Sequence, residues 1–376
     1  MKKLLLFDMD GVLLRPGGYH QSLKATVRGI GLTLGLPGVA LTDDQIARFE
    51  ALSITNEWDT LAICTALMLL ETWQTNPDPR IDGNSVEGRK IIDQSPGIDS
   101  FLDSLDEVGP LPGHTAYKKI DSEHPYLNPG QKRHLQEILF DARDIYKSPV
   151  LHWHQETVLG SDVFWENYGL MPQLDRESYL TLYDRPNMAP EQREKLAVWL
   201  SYKGSGAGIL TNRPSSTPPG YLSSPEAELG AQLVEMDTFP ILGSGMLAWF
   251  AVTQCQLPEY TFLKPNPVHT LALMQLCSGH TATDALMLAY KLWRGDGKAK
   301  DWEQFAGCQV VIFEDAVKGM QSGESAQALL AQEHITVDLV LIGISSNPIK
   351  QAELKKMAQH VYEDINRVDW YRLSLS

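Results

Sequence analysis

Two aspartates, two positions apart, are the first residues whose types and spacing suggest chemistry. Asp8 and Asp10 follow an apolar run at residues 4–7, and Gly11 comes directly after them. Side chains two apart on an extended chain point the same way, and a glycine permits a sharp turn. The two carboxylates would share a small volume, which suits a divalent cation with oxygen ligands or a nucleophile beside an acid/base group. An ordinary strand-end turn is the alternative.

Polar residues also end two later apolar runs, at residues 208–210 and 310–313. The first run is followed by Thr211 and Asn212, and the second by Glu314 and Asp315. Short apolar runs separated by helical stretches are typical of a parallel α/β sheet, in which ligands bind at the carboxyl ends of strands. Considered singly, the hydroxyl could be a cap and the acidic pair a helix N-terminus. Together the clusters predict one shared crevice.

The separation between Asp8 and Thr211 is too long for one strand crossover, so we expect a domain inserted between them. The predicted boundaries are 1–15 and 204–376 for a discontinuous sheet domain and 16–203 for the insertion. Helical spacing predicts helices at residues 42–49, 57–73, 131–146 and 190–202. Residues 75–129 show weak periodicity, and we assign no helices there.

Composition restricts the class of ligand and the compartment. The 376 residues carry 32 Lys and Arg against 47 Asp and Glu, a net charge of −15. This charge opposes binding to nucleic acid or an anionic membrane, and a phosphorylated ligand would need local positive charge. Four scattered cysteines without a C-x-x-C pair favour a reducing cytoplasm. The apolar run before Asp8 is too short for a signal peptide, and the one at residues 61–70 is too short to span a membrane.

Four segments, in order, resemble the motifs of the haloacid dehalogenase-like (HAD) superfamily. They are Phe7-Asp8-Met9-Asp10-Gly11-Val12-Leu13, Ile209-Leu210-Thr211-Asn212, Lys264-Pro265-Asn266-Pro267 and Val311-Ile312-Phe313-Glu314-Asp315-Ala316-Val317-Lys318-Gly319. The resemblance is to capped phosphatases and the β-phosphoglucomutase-like branch. It implies an α/β fold with a doubly wound, Rossmann-like parallel sheet and a large, mainly helical cap domain inserted after the first strand. It covers the predicted sheet domain and says little about the insertion.

The resemblance implies roles for the matched residues. Asp8 would be the nucleophile that forms an aspartyl-phosphate, and Asp10 would act first as general acid and then as general base. Thr211, the backbone amide of Asn212 and Lys264 would bind the phosphoryl oxygens.

A Mg²⁺ cofactor is also implied. Asp8, the backbone carbonyl of Asp10 and Asp315 would hold the ion, with Glu314 nearby through water. Magnesium prefers octahedral oxygen coordination and retains waters, which agrees with this donor set.

Asp10 bears on the type of reaction. An alkoxide leaving group needs a proton and a halide does not, so an aspartate here disfavours dehalogenation. We therefore expect a cytoplasmic, Mg²⁺-dependent phosphatase acting on a small phosphorylated metabolite. A phosphomutase of the β-phosphoglucomutase type is a second hypothesis. A third is a non-catalytic phosphometabolite-binding scaffold that uses its enlarged cap for protein contacts.

Two polar clusters in the insertion could have functions of their own. Asn56 and Glu57 begin an apolar helix and are candidate substrate contacts, with a plain helix cap as the alternative. His152 and His154 would share one face of a strand as metal ligands. Because no third ligand is evident, we favour the interpretation that both are polar residues on a half-buried surface.

Residues 281–305 are a further insertion between Lys264 and Asp315.

Overall fold

Two compact units make up the chain, and a computed structural model describes residues 3–76, 96–105 and 107–370. We call Met1–Pro16 with Asp184–Ser376 the core unit, and Gly17–Tyr183 the inserted unit. The predicted junction after residue 15 lies next to the observed one. The predicted junction at residue 203 differs, because residues 184–203 belong to the core unit, where Leu196 and Trp199 join a cluster of buried apolar side chains.

The core unit is built on a six-stranded parallel sheet. The strands of the described chain are β1 (Lys3–Phe7), β2 (Leu14–Arg15), β3 (Arg185–Pro186), β4 (Ser205–Leu210), β5 (Ile241–Leu242), β6 (Gln309–Glu314), β7 (Asp338–Ile344) and β8 (His360–Tyr362). The sheet order is β5-β4-β1-β6-β7-β8, while β2 and β3 form a separate antiparallel ribbon. The predicted α/β parallel sheet with a helical insertion after the first strand is confirmed.

Strand β1 lies between β4 and β6, and the register aligns their carboxyl ends. Phe7 is opposite Ile209 on one side and Phe313 on the other. All the apolar residues of β1 are completely buried, as expected for a strand covered on both faces. The polar residues that follow these three strands therefore lie at one edge of the sheet.

The inserted unit is helical in its described part. Its helices are α1 (Gly18–Thr33), α2 (Asp43–Ala51), α3 (Glu57–Trp73), α4 (Ile98–Asp103), α5 (Pro112–Glu123), α6 (Pro129–Phe140), α7 (Pro149–Leu159), α8 (Ser161–Tyr168) and α9 (Tyr179–Tyr183). Helix α3 is buried over most of its surface, because its own side chains are apolar on nearly all faces. It supplies a large part of the core of this unit.

Helix predictions for the insertion are confirmed at residues 42–49 and 57–73, whereas the helix predicted at residues 131–146 corresponds to α6, which ends at Phe140. The helices predicted at residues 42–49 and 57–73 are α2 and α3, and Thr42 caps α2 by accepting a hydrogen bond from the Gln45 amide. The segment 75–129, to which the sequence alone assigns no helices, contains α4 and α5, which are six and twelve residues long. Residues 77–95 and 106 of that segment lie outside the described residues.

The core unit contains the remaining helices. They are α10 (Pro190–Leu200), α11 (Glu226–Leu233), α12 (Ser244–Trp249), α13 (Pro267–Cys277), α14 (Ala282–Trp293), α15 (Val317–Gln332) and α16 (Pro348–Leu354). The insertion at residues 281–305 consists of α14 and two short 3₁₀ turns, and α14 packs against α13. Trp302 and Phe305 of this segment are completely buried, so the insertion extends the hydrophobic core.

No helix within the described ranges is both long and apolar enough to cross a bilayer. The apolar stretch at residues 61–70 lies in α3 and is buried in the inserted unit. All four cysteines are free thiols.

Replacing Trp302 tests the contribution of the second insertion to folding. We expect Trp302→Ala to lower the free energy of unfolding by about 3–5 kcal/mol, because it leaves a cavity where a large side chain is fully buried. Lys298→Ala, at an exposed position of the same segment, should change it by less than about 0.5 kcal/mol. Urea denaturation measures both. Equal stability of the two variants would contradict the placement of Trp302 in the core.

His269 predicts a pH dependence of stability. The side chain is fully buried in α13, its Nε2 lies 3.0 Å from the Leu242 carbonyl oxygen, and burial together with the charge of Lys264 lowers its pKa to about 3. In the unfolded chain this histidine takes up a proton below about pH 6.5, whereas in the folded chain it stays neutral. Stability is therefore lost as the pH falls from 6.5 towards 3.

We expect the stability difference between pH 7.5 and pH 5.0 to be about 2 kcal/mol smaller in His269→Gln, since the variant lacks this proton uptake. His360→Gln, at an exposed position, is the control and should keep the wild-type difference. Denaturant titrations at the two pH values give the comparison. A wild-type difference in His269→Gln would mean that His269 is not held neutral.

Candidate active site

The carboxyl ends of β1, β4 and β6 bring the predicted site residues together. The Asp8 amide donates to the Phe313 carbonyl at 2.9 Å, which continues the pairing of β1 with β6 as far as the aspartate. After Asp8 the chain turns tightly, with the Leu13 and Leu14 amides both donating to the Met9 carbonyl. Asp8 and Asp10 are thus at the sheet edge at which β4 and β6 also end.

Lys264 connects all three strand ends. Its Nζ donates to Asp8 Oδ1 at 2.6 Å, to Glu314 Oε1 at 2.5 Å and to the Leu210 carbonyl at 2.8 Å. The side chain is only 6% exposed, so these contacts are shielded from solvent. Electrostatic interactions are stronger in such an environment, and each partner depends on the others to remain charged.

The pKa shifts of the three groups reflect this burial. Burial raises the pKa of Asp8 well above its usual range, opposed by Lys264 and assisted by Glu314 and Asp315. Burial also raises the pKa of Glu314, opposed by Lys264 and assisted by Asp315. Burial acts to lower the pKa of Lys264, but the charges and hydrogen bonds of Asp8 and Glu314 outweigh it and raise that pKa. The lysine therefore stays protonated.

Three carboxylates form a cluster that fits a divalent cation. Asp8, Glu314 and Asp315 each offer an oxygen, and these oxygens lie within 4.8 Å of one another. Carboxylate oxygens are hard donors of the kind that Mg²⁺ and Ca²⁺ prefer. The carboxylates of this cluster do not include that of Asp10, for which the expected ligand is the backbone carbonyl, and that contribution stays a prediction.

Two glycines allow the acidic side chains to pack this closely. A Cβ atom on Gly11 would lie 2.6 Å from Asp315 Oδ2, and the backbone there has a φ of 79°, which favours glycine. A Cβ atom on Gly319, in the first turn of α15, would overlap the Glu314 carboxylate. Larger residues at either position would displace a carboxylate of the cluster.

Thr211 and Asn212 follow β4 as predicted. Thr211 is buried, its amide donates to the Leu242 carbonyl at 3.2 Å, and its hydroxyl oxygen accepts from the Arg213 amide at 3.0 Å. Its hydroxyl proton can still be donated to a ligand. No acceptor among the described residues takes the Asn212 amide proton, which leaves that donor available at the sheet edge.

Arg213 and Asp184 are site residues that the sequence interpretation missed. The guanidinium of Arg213 donates to both carboxylate oxygens of Asp10, at 2.9 and 2.5 Å, and lies 2.8 Å from Asp184 Oδ2. The available signal was an arginine directly after Thr211-Asn212 in an acidic protein. No local pattern pointed to Asp184.

Lys350 is a third missed residue. It lies in the first turn of α16, is about half exposed, and its Nζ is 2.7 Å from Asp315 Oδ2. Its ammonium group partly neutralises a carboxylate that also belongs to the cluster of Asp8, Glu314 and Asp315.

Asn56 and Glu57 belong to the inserted unit, and their contact with a substrate stays a prediction. Asn56 occupies the N-cap position of α3 without a capping hydrogen bond from its side chain. The neighbouring Asp59 is buried and bound by Arg143 at 2.7 Å, which gives this part of the cluster a structural role.

The strand predicted for His152 and His154 is wrong, because both residues lie in α7. Ser148 caps this helix and Pro149 begins it, and residues two apart on a helix point in different directions. His154 is fully buried, and burial lowers its pKa to about 4. Nearby, buried Glu156 accepts hydrogen bonds from Ser161, Gln173 and Leu174. This region is therefore part of the interior of the inserted unit.

Comparison with known proteins shows similarity of fold. No family model matches the chain, and no curated protein matches its sequence. A crystal structure from the Northeast Structural Genomics Consortium has a TM-score of 0.60 at 17% identity, over 100% of this chain and 98% of that one. Phosphatase Tt82 from Thermococcus thioreducens has a TM-score of 0.45 at 13% identity, over 94% and 99% of the two chains.

A haloacid dehalogenase-like hydrolase from Bacteroides fragilis has a TM-score of 0.31 at 11% identity, over 98% of this chain and 99% of that one. At these identities similarity concerns the fold alone, and TM-scores below 0.5 support no inference about activity. The structural-genomics protein shares the fold along the whole chain.

Proposed function

We propose that the protein is a Mg²⁺-dependent phosphatase that hydrolyses a small phosphorylated metabolite through an aspartyl-phosphate. The observation that supports this most directly is the buried contact of Lys264 with Asp8 and Glu314. A second aspartate, Asp10, follows two positions after Asp8. A carboxylate held against a cation at a sheet edge is placed to attack phosphorus, and the same cation can then bind the phosphoryl oxygens.

The proposed reaction has two displacements. In the first, an oxygen of Asp8 attacks phosphorus, the ester P–O bond breaks, and Asp10 gives its proton to the leaving oxygen. In the second, Asp10 takes a proton from water, the water oxygen attacks phosphorus, and the bond between Asp8 and phosphorus breaks. Inorganic phosphate leaves and both aspartates return to their starting states. Each proton transfer contributes typically 10²–10⁴-fold to such reactions.

Three donors of the core unit are available for the phosphoryl group. They are the Thr211 hydroxyl, the Asn212 amide and the Lys264 ammonium group. Positive charge and fixed donors are needed where negative charge spreads over the phosphoryl oxygens. When bound by Asp8, Glu314 and Asp315, Mg²⁺ would supply further positive charge at the same place.

The expected partner is a small molecule, because the net charge of −15 opposes nucleic acid and anionic surfaces. We propose a cytoplasmic enzyme, in keeping with four free thiols and no disulfide pattern.

Asp8→Asn tests the nucleophile. We expect hydrolysis of 4-nitrophenyl phosphate in the presence of Mg²⁺ to fall by at least about 10³-fold, because an amide cannot form the acyl-phosphate bond. Asp237→Asn removes an exposed carboxylate of the same unit and should keep wild-type turnover.

Undiminished turnover in Asp8→Asn would refute the assignment of the nucleophile. Phosphorus NMR of the products identifies the reaction, since a phosphatase releases inorganic phosphate and a mutase returns an isomeric phosphate ester.

Lys350→Met tests the influence of this lysine on metal binding. Its ammonium group contacts Asp315 and opposes a second cation there, so we expect the variant to bind Mg²⁺ roughly two- to fivefold more tightly. The effect is modest because the lysine is half exposed. Lys356→Met, which removes an exposed lysine paired with Glu353, should bind as the wild type does. Calorimetric titration with MgCl₂ gives both affinities, and unchanged or weaker binding in Lys350→Met contradicts the expectation.

A further inference from the structure

A buried guanidinium group connects the proposed general acid to a second aspartate. Arg213 Nε donates to Asp10 Oδ2 at 2.9 Å, and Nη2 donates to Asp10 Oδ1 at 2.5 Å. Two parallel hydrogen bonds between a planar guanidinium and a carboxylate fix the plane of the carboxylate as well as its position. A lysine, as a single point charge, would fix only the position.

The exposure of the three side chains differs in a way that suits this role. The side chains of Arg213 and Asp184 are each 1% exposed, whereas that of Asp10 is 35% exposed. Asp184, 2.8 Å from Nη2, supplies the negative charge that a buried arginine needs. Asp10 can therefore be held by Arg213 and still present oxygen lone pairs to a substrate or water.

The backbone around this contact is also restrained. Arg213 directly follows the proposed phosphate-binding residues Thr211 and Asn212, and its amide donates to the Thr211 hydroxyl oxygen. Asn187, three residues after Asp184, donates from its amide to the Leu13 carbonyl and from Nδ2 to the Val12 carbonyl, at 2.8 and 2.9 Å. The loop that carries Asp10 is thus bound to the segment that carries Asp184.

We propose that Arg213 is a positioning residue that orients the Asp10 carboxylate for proton transfer, and that Asp184 keeps Arg213 in place. The inference rests on the proposed phosphatase function. An acid/base group has to face the leaving oxygen in one step and the attacking water in the next, and small errors of orientation are costly in rate. A rotated Asp10 would transfer protons poorly, while phosphate binding by Thr211 and Lys264 would be unaffected.

Leaving groups that differ in their need for a proton provide the test. We expect Arg213→Lys to lower kcat for glycerol phosphate, an alkyl ester, by roughly 10²-fold, and kcat for 4-nitrophenyl phosphate by less than about fivefold, with KM nearly unchanged. Asp184→Asn should show the same selectivity to a smaller degree, and Asp10→Asn to a greater degree. Arg193→Lys, which alters an arginine paired with exposed Glu235, should behave as the wild type.

A general structural defect would lower kcat for both substrates equally or raise KM, and either result overturns the proposal. Full activity of Arg213→Lys on the alkyl ester overturns it as well. Should a single variant fail to fold because one buried charge loses its partner, Arg213→Met/Asp184→Asn removes both charges and is judged by the same criteria.

Crystal structures of the wild type and Arg213→Lys give a readout that does not need activity. We expect the Asp10 carboxylate to have one orientation in the wild type, and to be rotated or to adopt more than one conformer in the variant. An unchanged orientation overturns the proposal. If the wild type hydrolyses neither ester, the phosphatase function fails, and the two crystal structures still decide whether Arg213 positions Asp10.

Discussion

The arrangement of the core unit depends on one buried ammonium group. Without Lys264, Asp8 and Glu314 would be like charges in a largely apolar interior, where removing one partner of such a network costs several kcal/mol. The lysine also binds the carbonyl of Leu210, so it connects three neighbouring strands at the point where each one ends. Stability and the proposed chemistry therefore share the same contacts, and the site cannot be optimised for one without affecting the other.

Charge balance would allow an acidic protein to accept the phosphate of the proposed substrate. Around the site, five carboxylates contact three cationic side chains, which leaves two negative charges in excess when all groups are ionised. A divalent cation would cancel this excess. The cationic groups are Lys264, Arg213 and Lys350. The net charge of −15 then describes the surface as a whole, while the sheet edge is close to neutral with all groups ionised, and carries one positive charge in excess when Asp10 holds the proton of the proposed first step.

The sequence predicted what depends on local pattern. Apolar runs ending in Asp8, Thr211 and Glu314 placed these residues at one edge, because parallel strands carry their carboxyl ends together. The partners of Asp10 and Asp315 could not be found this way. Arg213 is 203 positions from Asp10, and Lys350 is 35 from Asp315, so their pairing depends on tertiary structure. In α7 the alternation of His152 and His154 resembled a strand, but the cap at Ser148 and the surrounding core favour a helix.

The β2–β3 ribbon has a consequence for how such a chain can change in evolution. Leu14 pairs with Pro186 and Arg15 with Arg185, so the chain returns to the core unit beside the point where it leaves. The entropy of closing a loop grows only slowly with its length, so the distance between these two ends does not limit what lies between them. Segments of very different size could be exchanged at this junction while the distances around Lys264 stay the same. The ribbon would then act as an insertion point for new domains in a core unit that stays the same.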